Sequence, residues 1–311
     1  MISRIKDIFT KKPEPTPPHS SEIETAPLQN NLVDTDKLHP VHKPIHSTPI
    51  PRLDLPQFII GCGHSIGIQR DHNEDALFTL TTNLIMAETQ IPFGLYIIAD
   101  GMGGHQHGEI ASGIAARSLA STVVHKIYQP SLGLTETQYE ESVQEILQEG
   151  FLHAHHEIFT KAQGSGTTLT AALLMGDRMT IAHVGDSRAY ILHNDGVQET
   201  LTHDHSLVKR LEELGQITAD EAAVHPQRNV LYRALGQGEP FQPDIATFPM
   251  PHGCHLLICS DGLWGLVPEK ELLHLVNTAA TPHQACQALT DAANSAGGPD
   301  NITVILVRLP D

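Results

Sequence analysis

FGLYIIADGMGG, residues Phe93–Gly104, opens with a run of apolar or small residues, partly β-branched and aromatic, that leads straight into Asp100-Gly101. A short run bounded by such a turn signal predicts a buried strand over Phe93–Ala99 that stops at the aspartate. A second stretch, HLLIC at His255–Cys259, runs into Ser260-Asp261-Gly262, and a third, NITVILVRL at Asn301–Leu309, begins just after Asp300. A carboxylate at a strand end stands on the rim of a rigid sheet, where the scaffold holds its direction and the backbone is free to turn away. A single Asp-Gly is most often only a hairpin turn. Three carboxylates on one rim fit that reading poorly, because they repel one another unless a cation joins them. Hard divalent ions such as Mg²⁺ and Mn²⁺ suit an all-oxygen set of this kind.

Working outward, further strands are expected at Thr168–Met175, Met179–Val184 and Arg188–His193, the last two flanking Gly185-Asp186-Ser187 as a hairpin. Three helices are expected. Glu109–Ile127 places Ile110, Ile114, Val123 and Ile127 on one side, and Glu136–Phe159 has Thr135 and Gln138 at capping-box spacing. Pro282–Ser295 has Thr281 as N-cap, Gln284 completing the box and Gly297-Gly298 as the stop. Strands and helices come in blocks rather than strict alternation, which favours α+β layers over a doubly wound sheet. Residues 201–235, with a polar helix over Ser206–Leu214, then Gly215 and a second short helical stretch, suit a mobile flap or an insertion with packing duties only.

Residues 11–56 are rich in proline (Pro13, Pro15, Pro17, Pro18, Pro40, Pro44, Pro49, Pro51, Pro56) and carry apolar residues without period, so a disordered tail over 1–56 is expected. Within it, Met1–Lys12 sets Ile2, Ile5, Ile8 and Phe9 at helical spacing among basic residues. That pattern fits a segment docking on a membrane surface or a partner. A frayed terminus is the better reading, since so short a helix is marginal alone. The tail's charges cancel, so the whole net charge of −17 lies on residues 57–311. An acidic body disfavours nucleic acid and anionic lipid and suits cations and basic polypeptides. Cys62, Cys254, Cys259 and Cys286 make no C-x-x-C pair and read as small hydrophobes in a reducing compartment. The absence of a long apolar run or a signal-peptide core points to the cytoplasm.

Arg70-Asp71-His72-Asn73-Glu74-Asp75 adds two carboxylates beside a guanidinium, the group best shaped to grip a phosphate with paired hydrogen bonds. With this run as R-x-x-N-E-D, followed by D-G-M-G-G (Asp100–Gly104), G-T-T (Gly166–Thr168), G-D-S-R (Gly185–Arg188), S-D-G (Ser260–Gly262) and D-N-I-T (Asp300–Thr303), the chain resembles the metal-dependent type 2C (PPM) serine/threonine protein phosphatases of bacteria over roughly residues 57–309. The resemblance implies a four-layer α-β-β-α sandwich, two antiparallel sheets flanked by helices, with a metal site at one end. It implies two divalent ions, Mn²⁺ or Mg²⁺, with Asp100 bridging both, the Gly101 carbonyl on one, and Asp261 and Asp300 on the other. Glu74 and Asp75 would hold metal-bound waters, Arg70 the substrate phosphate, and Asp186 with Asp261 a third, looser ion. The implied reaction is hydrolysis of phosphoserine and phosphothreonine by a water shared between the metals, on phosphorylated proteins made by a Ser/Thr kinase. A monomer is expected.

The chain departs from many eukaryotic relatives in carrying Met102 where they have a histidine thought to protonate the leaving alcohol. His105, His107 and a metal-bound water are the candidates, and water is the preferred one, since among 21 histidines a nearby one carries little weight. His153 and His156 share a helix face beside His155, but without a carboxylate near they read as surface rather than ligands. The competing reading is an inactive, phosphoprotein-binding member of the same fold. It is disfavoured because such a scaffold has no reason to keep Asp100, Asp261 and Asp300 together.

Overall fold

The computed structural model describes residues 57–86, 89–103, 107–133, 141–238 and 241–310. The expected tail over 1–56, its N-terminal amphipathic segment, Gly104, His105 and the Thr135–Gln138 capping box all lie outside them.

Two antiparallel sheets form the centre. One has the order β1 (Ile59–Ser65), β11 (Ile302–Arg308), β10 (Cys254–Cys259), β7 (Arg188–His193) and β8 (Gln198–Thr200). The other runs β2 (Asp75–Met86), β3 (Thr89–Met102), β5 (Leu169–Met175), β6 (Arg178–Val184) and β9 (Asp244–Pro249), with the short β4 (Gly166–Thr167) paired to the end of β3. Successive side chains of a strand point to opposite faces, and here both faces are covered. In β3, Phe93, Leu95, Ile97 and Ala99 pack under helices α1 (Gly108–Val123) and α3 (Val143–Lys161), while Tyr96 and Ile98 face the other sheet. In β11, Ile302, Val304 and Leu306 pack against α7 (Glu269–Thr278) and α8 (Pro282–Ser295), while Ile305 and Val307 turn to the sheet interface. Burial on both faces is why these strands read as continuous apolar runs. The result is the four-layer sandwich expected, with three apolar clusters between its layers.

Several local expectations are corrected. The strand through Phe93–Ala99 does not stop at Asp100; it continues to Met102, because Gly101 and Met102 pair with Thr167 and Gly166 of β4. The segments flanking Gly185-Asp186-Ser187 are not a hairpin: β6 pairs with β5 and β9, β7 with β10 and β8, so the turn carries the chain from one sheet to the other. Gly185 has φ +110°, and a Cβ there would lie 2.5 Å from the Thr168 side chain, so the crossover needs glycine.

Helix α1 ends at Val123, passes through a wider π-turn over Val124–Tyr128, and closes with α2 (Gln129–Ser131). Ile114, Val123 and Ile127 are buried as predicted, whereas Ile110 is exposed. Helix α3 starts at Val143, later than the predicted Glu136, because Ser142 and Glu145 form the capping box. At α8 Thr281 caps Gln284 N–H as expected, but the reciprocal side-chain bond of a full box is missing. Cys254, Cys259 and Cys286 are buried, Cys62 is half-buried, and all four are free thiols. No helix among the described residues is long and apolar enough to cross a membrane.

Candidate functional site

The sheet register brings the predicted carboxylates to one end. Asp75 at the start of β2 is the direct cross-strand partner of Asp100 near the end of β3. Asp261 follows β10 and opens the single-turn helix α6 (Asp261–Trp264), and Asp300 precedes β11, so both stand at the same end of the partner sheet. Asp186 joins them from the inter-sheet crossover. The close approach is steric as well as electrostatic, for a Cβ on Gly262 would lie 2.0 Å from the Asn301 carbonyl oxygen.

Hydrogen bonds fix the cluster's backbone. Asp100 N–H donates to Thr168 Oγ1 (2.9 Å), and the Asp100 carbonyl accepts from Thr167 Oγ1 (2.8 Å) and Thr168 N–H (2.9 Å). Glu74 N–H donates to Asn301 Oδ1 (2.8 Å), and the Glu74 carbonyl accepts from Gly101 N–H (3.2 Å) and Ser112 Oγ (2.5 Å). Asp75 Oδ2 accepts from Ser260 Oγ (3.0 Å) and Thr303 Oγ1 (2.6 Å). Arg70 Nη2 donates to Asp300 Oδ2 (2.8 Å) and its Nε to the Pro299 carbonyl (3.1 Å), so the guanidinium is tethered to the cluster while remaining solvent-accessible.

The electrostatics are those of an uncompensated site. Burial, then the charges of Asp261 and Asp300, pushes Asp75 up to about 7. Burial, then Asp300, raises Asp261 to about 6. Burial and the surrounding aspartates lift Asp100 well above the usual carboxylate range, and burial with Asp261 and Asp204 does the same to Asp186. Three buried carboxylate oxygens, Glu74 Oε1, Asp75 Oδ1 and Asp261 Oδ1, have no hydrogen-bond partner among the described residues; His72 Nε2, 3.5 Å from Glu74 Oε1, is too far to make one. Orphaned anionic oxygens converging with Asp100 at a glycine-lined end are an all-oxygen donor set, and hard divalent cations fit it.

Sequence reasoning missed the frame around Asp186. Arg188 grips Asp204 through Nε (2.9 Å) and Nη2 (2.7 Å), and its guanidinium carbon lies 3.6 Å from the centre of the Trp264 ring. Trp264 Nε1 donates to the Asp186 carbonyl (2.9 Å), which pins the crossover to α6 and so draws Asp186 toward Asp261. Nothing local marks Asp204 or Trp264 for this, since the pairing forms only when residues 201–235 pack back on the sheets. Residues 201–235 carry α4 (Leu207–Glu213) and α5 (Ala219–Ala223), near their predicted places. A cleft of about 650 Å³ runs from Arg70, Asp261 and Asp300 to Lys209, Glu212 and Arg228 on this segment.

Other histidines are accounted for without a metal. His153 Nδ1 pairs with Ser118 Oγ at 2.9 Å, and His155 is buried, stacks on Phe241 and accepts Gly236 N–H at 3.2 Å. His203, His205 and Asp244 lie at ligand-like spacing, a grouping no sequence motif announced. His205 Nδ1, however, accepts Gly185 N–H (3.1 Å), which leaves the hydrogen on Nε2 facing Asp244 Oδ2 (3.1 Å). Arg233 Nη1 holds Asp244 Oδ1 at 2.7 Å. The ring has no free lone pair for a cation, and an arginine already neutralises the carboxylate. His107 sits at the N-cap of α1 without a side-chain cap bond.

Residues 62–302 match the profile of the family described as Protein phosphatase 2C. The serine/threonine phosphatase stp of Listeria innocua is 39% identical over 239 residues, covering 77% of this chain and 91% of that protein. The crystal structure of the Mycobacterium tuberculosis serine/threonine phosphatase PstP/Ppp superposes with a TM-score of 0.67 at 29% identity, covering 82% of this chain and all of that one. A structure of the PstP catalytic domain in complex with two manganese ions gives a TM-score of 0.66 at 28% identity, covering 83% of this chain and all of that one.

Proposed function

The chain belongs to the protein phosphatase 2C family, and from that premise we propose that it is a metal-dependent protein serine/threonine phosphatase whose chemistry resides at the carboxylate end of the sandwich. The observation that carries this reading is the set of buried, unpartnered oxygens of Glu74, Asp75 and Asp261 around Asp100. Asp100 and the Gly101 carbonyl, with Asp261 and Asp300, would hold two divalent ions, Mn²⁺ or Mg²⁺. A third would take Asp186 and Asp261, whose mutual charge is among the causes lifting Asp186. Ions bound there would supply Lewis acidity, lowering the pKa of a water and offsetting charge on the phosphoryl oxygens.

The chain's own residues do the rest. Arg70, tethered to Asp300 and open to the cleft, grips the phosphate with its remaining donors. Glu74 and Asp75 would hold waters through oxygens that no group among the described residues occupies. Water remains the preferred proton donor to the leaving alcohol; Met102 cannot serve, and His107, at the N-cap of α1, makes no side-chain cap bond that would aim its ring. The flap, forming the far wall of the same cleft, is the element placed to meet the phosphoprotein around its phosphorylated side chain. Substrates are phosphorylated proteins made by a Ser/Thr kinase. We further assign the catalytic unit to residues 57–311, acting as a monomer in the cytoplasm.

The test is release of p-nitrophenol from its phosphate ester with Mn²⁺, with Mg²⁺ and with EDTA, in wild type and Asp100→Asn. Turnover that needs metal and falls by at least about a hundredfold in the variant is expected, as for loss of a principal electrostatic group. No wild-type turnover in saturating Mn²⁺ would overturn the enzyme and favour a phosphoprotein-binding role.

A further inference from the structure

Asp75 is served by a directed chain of hydrogen bonds that begins outside the carboxylate cluster. The Asn73 amide is oriented by the backbone: its Oδ1 accepts Asp75 N–H at 2.9 Å and its Nδ2 donates to the Ser65 carbonyl at 3.2 Å. The same Nδ2 lies 2.9 Å from His64 Nε2, so that nitrogen must accept. The hydrogen of the neutral ring is therefore on Nδ1, 2.9 Å from Thr303 Oγ1. With its oxygen accepting from His64, Thr303 has only its own hydrogen left to give, and Asp75 Oδ2 takes it at 2.6 Å. Ser260 repeats the pattern, accepting Thr303 N–H (3.0 Å) and donating to the same Oδ2 (3.0 Å). Both donors land on Oδ2, and Oδ1 is left buried and free. The register of β1 on β11, which sets His64 opposite Thr303, builds the link.

We propose that His64 is a positioning residue which, through the Thr303 hydroxyl, fixes Asp75 with Oδ2 turned to protein donors and Oδ1 presented to the cation site. The inference rests on the reading of that site given above. His64 meets the cluster at two points, the Asn73 amide that fixes the Asp75 N–H and the Thr303 hydroxyl, and of these only the hydroxyl reaches an Asp75 carboxylate oxygen. An aliphatic residue at position 64 would free the Thr303 hydrogen to rotate, and Asp75 would lose its preferred orientation.

Mn²⁺ binding, measured by calorimetry, separates this from a purely structural role when combined with melting temperature and with kcat and KM on p-nitrophenyl phosphate. His64→Asn keeps a donor at the Nδ1 position. His64→Gln reaches only the Nε2 position and leaves Thr303 without its donor. We expect His64→Gln and Thr303→Val each to weaken Mn²⁺ binding by about tenfold, the lower end for outer partners of a metal site. His64→Asn should restore most of the affinity, KM should stay near wild type in all three, and His64→Gln/Thr303→Val should bind no worse than Thr303→Val. Wild-type Mn²⁺ affinity in His64→Gln, or additive losses in the double variant, overturns the proposal. Asp100→Asn distinguishes the two levels: if it binds Mn²⁺ as wild type does, the site reading itself fails. If it loses the metal while His64→Gln does not, only the role of His64 falls. Should His64→Gln not fold, His64→Leu takes its place with the same expectation.

Discussion

Single residues in this site are expensive. A buried polar group left without a partner costs about 1–3 kcal/mol, and more if charged, and Glu74, Asp75 and Asp261 each carry one such oxygen. In the metal-free protein the cost appears as proton uptake. Asp75 and Asp261 titrate near 7 and 6 when folded, both raised from 3.8 by burial first. The folded state thus binds more protons than the unfolded one between roughly pH 4 and pH 7, so stability without metal falls as pH rises through that window. A divalent ion must displace those protons. The increase in melting temperature on adding Mn²⁺ should therefore be larger at about pH 7.5 than at about pH 5. An equal or smaller increase at the higher pH would contradict the assignment of these carboxylates to the cation.

Elements determine how closely the residues can approach. Helix α6 is one turn long, yet it begins on Asp261, ends on the Trp264 that bonds to the Asp186 carbonyl, and lies against the start of β11 through Gly262. Gly262→Ala sets a Cβ 2.0 Å from the Asn301 oxygen, and backbone rather than a flexible side chain must yield. Overpacking of this kind costs about 1–3 kcal/mol, and here the displaced segments carry Asp261 and Asp300. A lower melting temperature together with weakened Mn²⁺ activation is expected in calorimetry and kinetics. A stable, fully active variant would show that the two segments are not held as tightly as the contact requires. The π-turn after α1 and the late start of α3 show the opposite situation. There, several boundaries satisfy the local pattern, and the Ser142–Glu145 capping box decides where α3 begins.

For the whole molecule, the family match over 62–302 and the layered core that begins at Phe58 support the proposal that residues 57–311 act as a self-sufficient unit. A chain beginning at Gln57 should keep full turnover on p-nitrophenyl phosphate and the melting temperature of the full chain. A large loss of either would assign the preceding residues to the fold. Much of this unit was legible before any coordinates. Apolar runs such as Phe93–Ala99 and Asn301–Leu309 record burial on both faces, and the order of the Asp-bearing motifs identified the family and, with it, the carboxylates to examine. Pattern alone could not say which strands pair. The segments around Gly185-Asp186-Ser187 look like a hairpin because a turn between two strands has the same composition whether it joins neighbours or crosses between sheets. Nor could it place Asp75 opposite Asp100, set His64 against Thr303, or close His205 to a metal with a backbone N–H from Gly185. Composition and periodicity report what each residue must bury; partners distant in sequence, and the direction of every hydrogen bond between them, exist only once the sheets have packed.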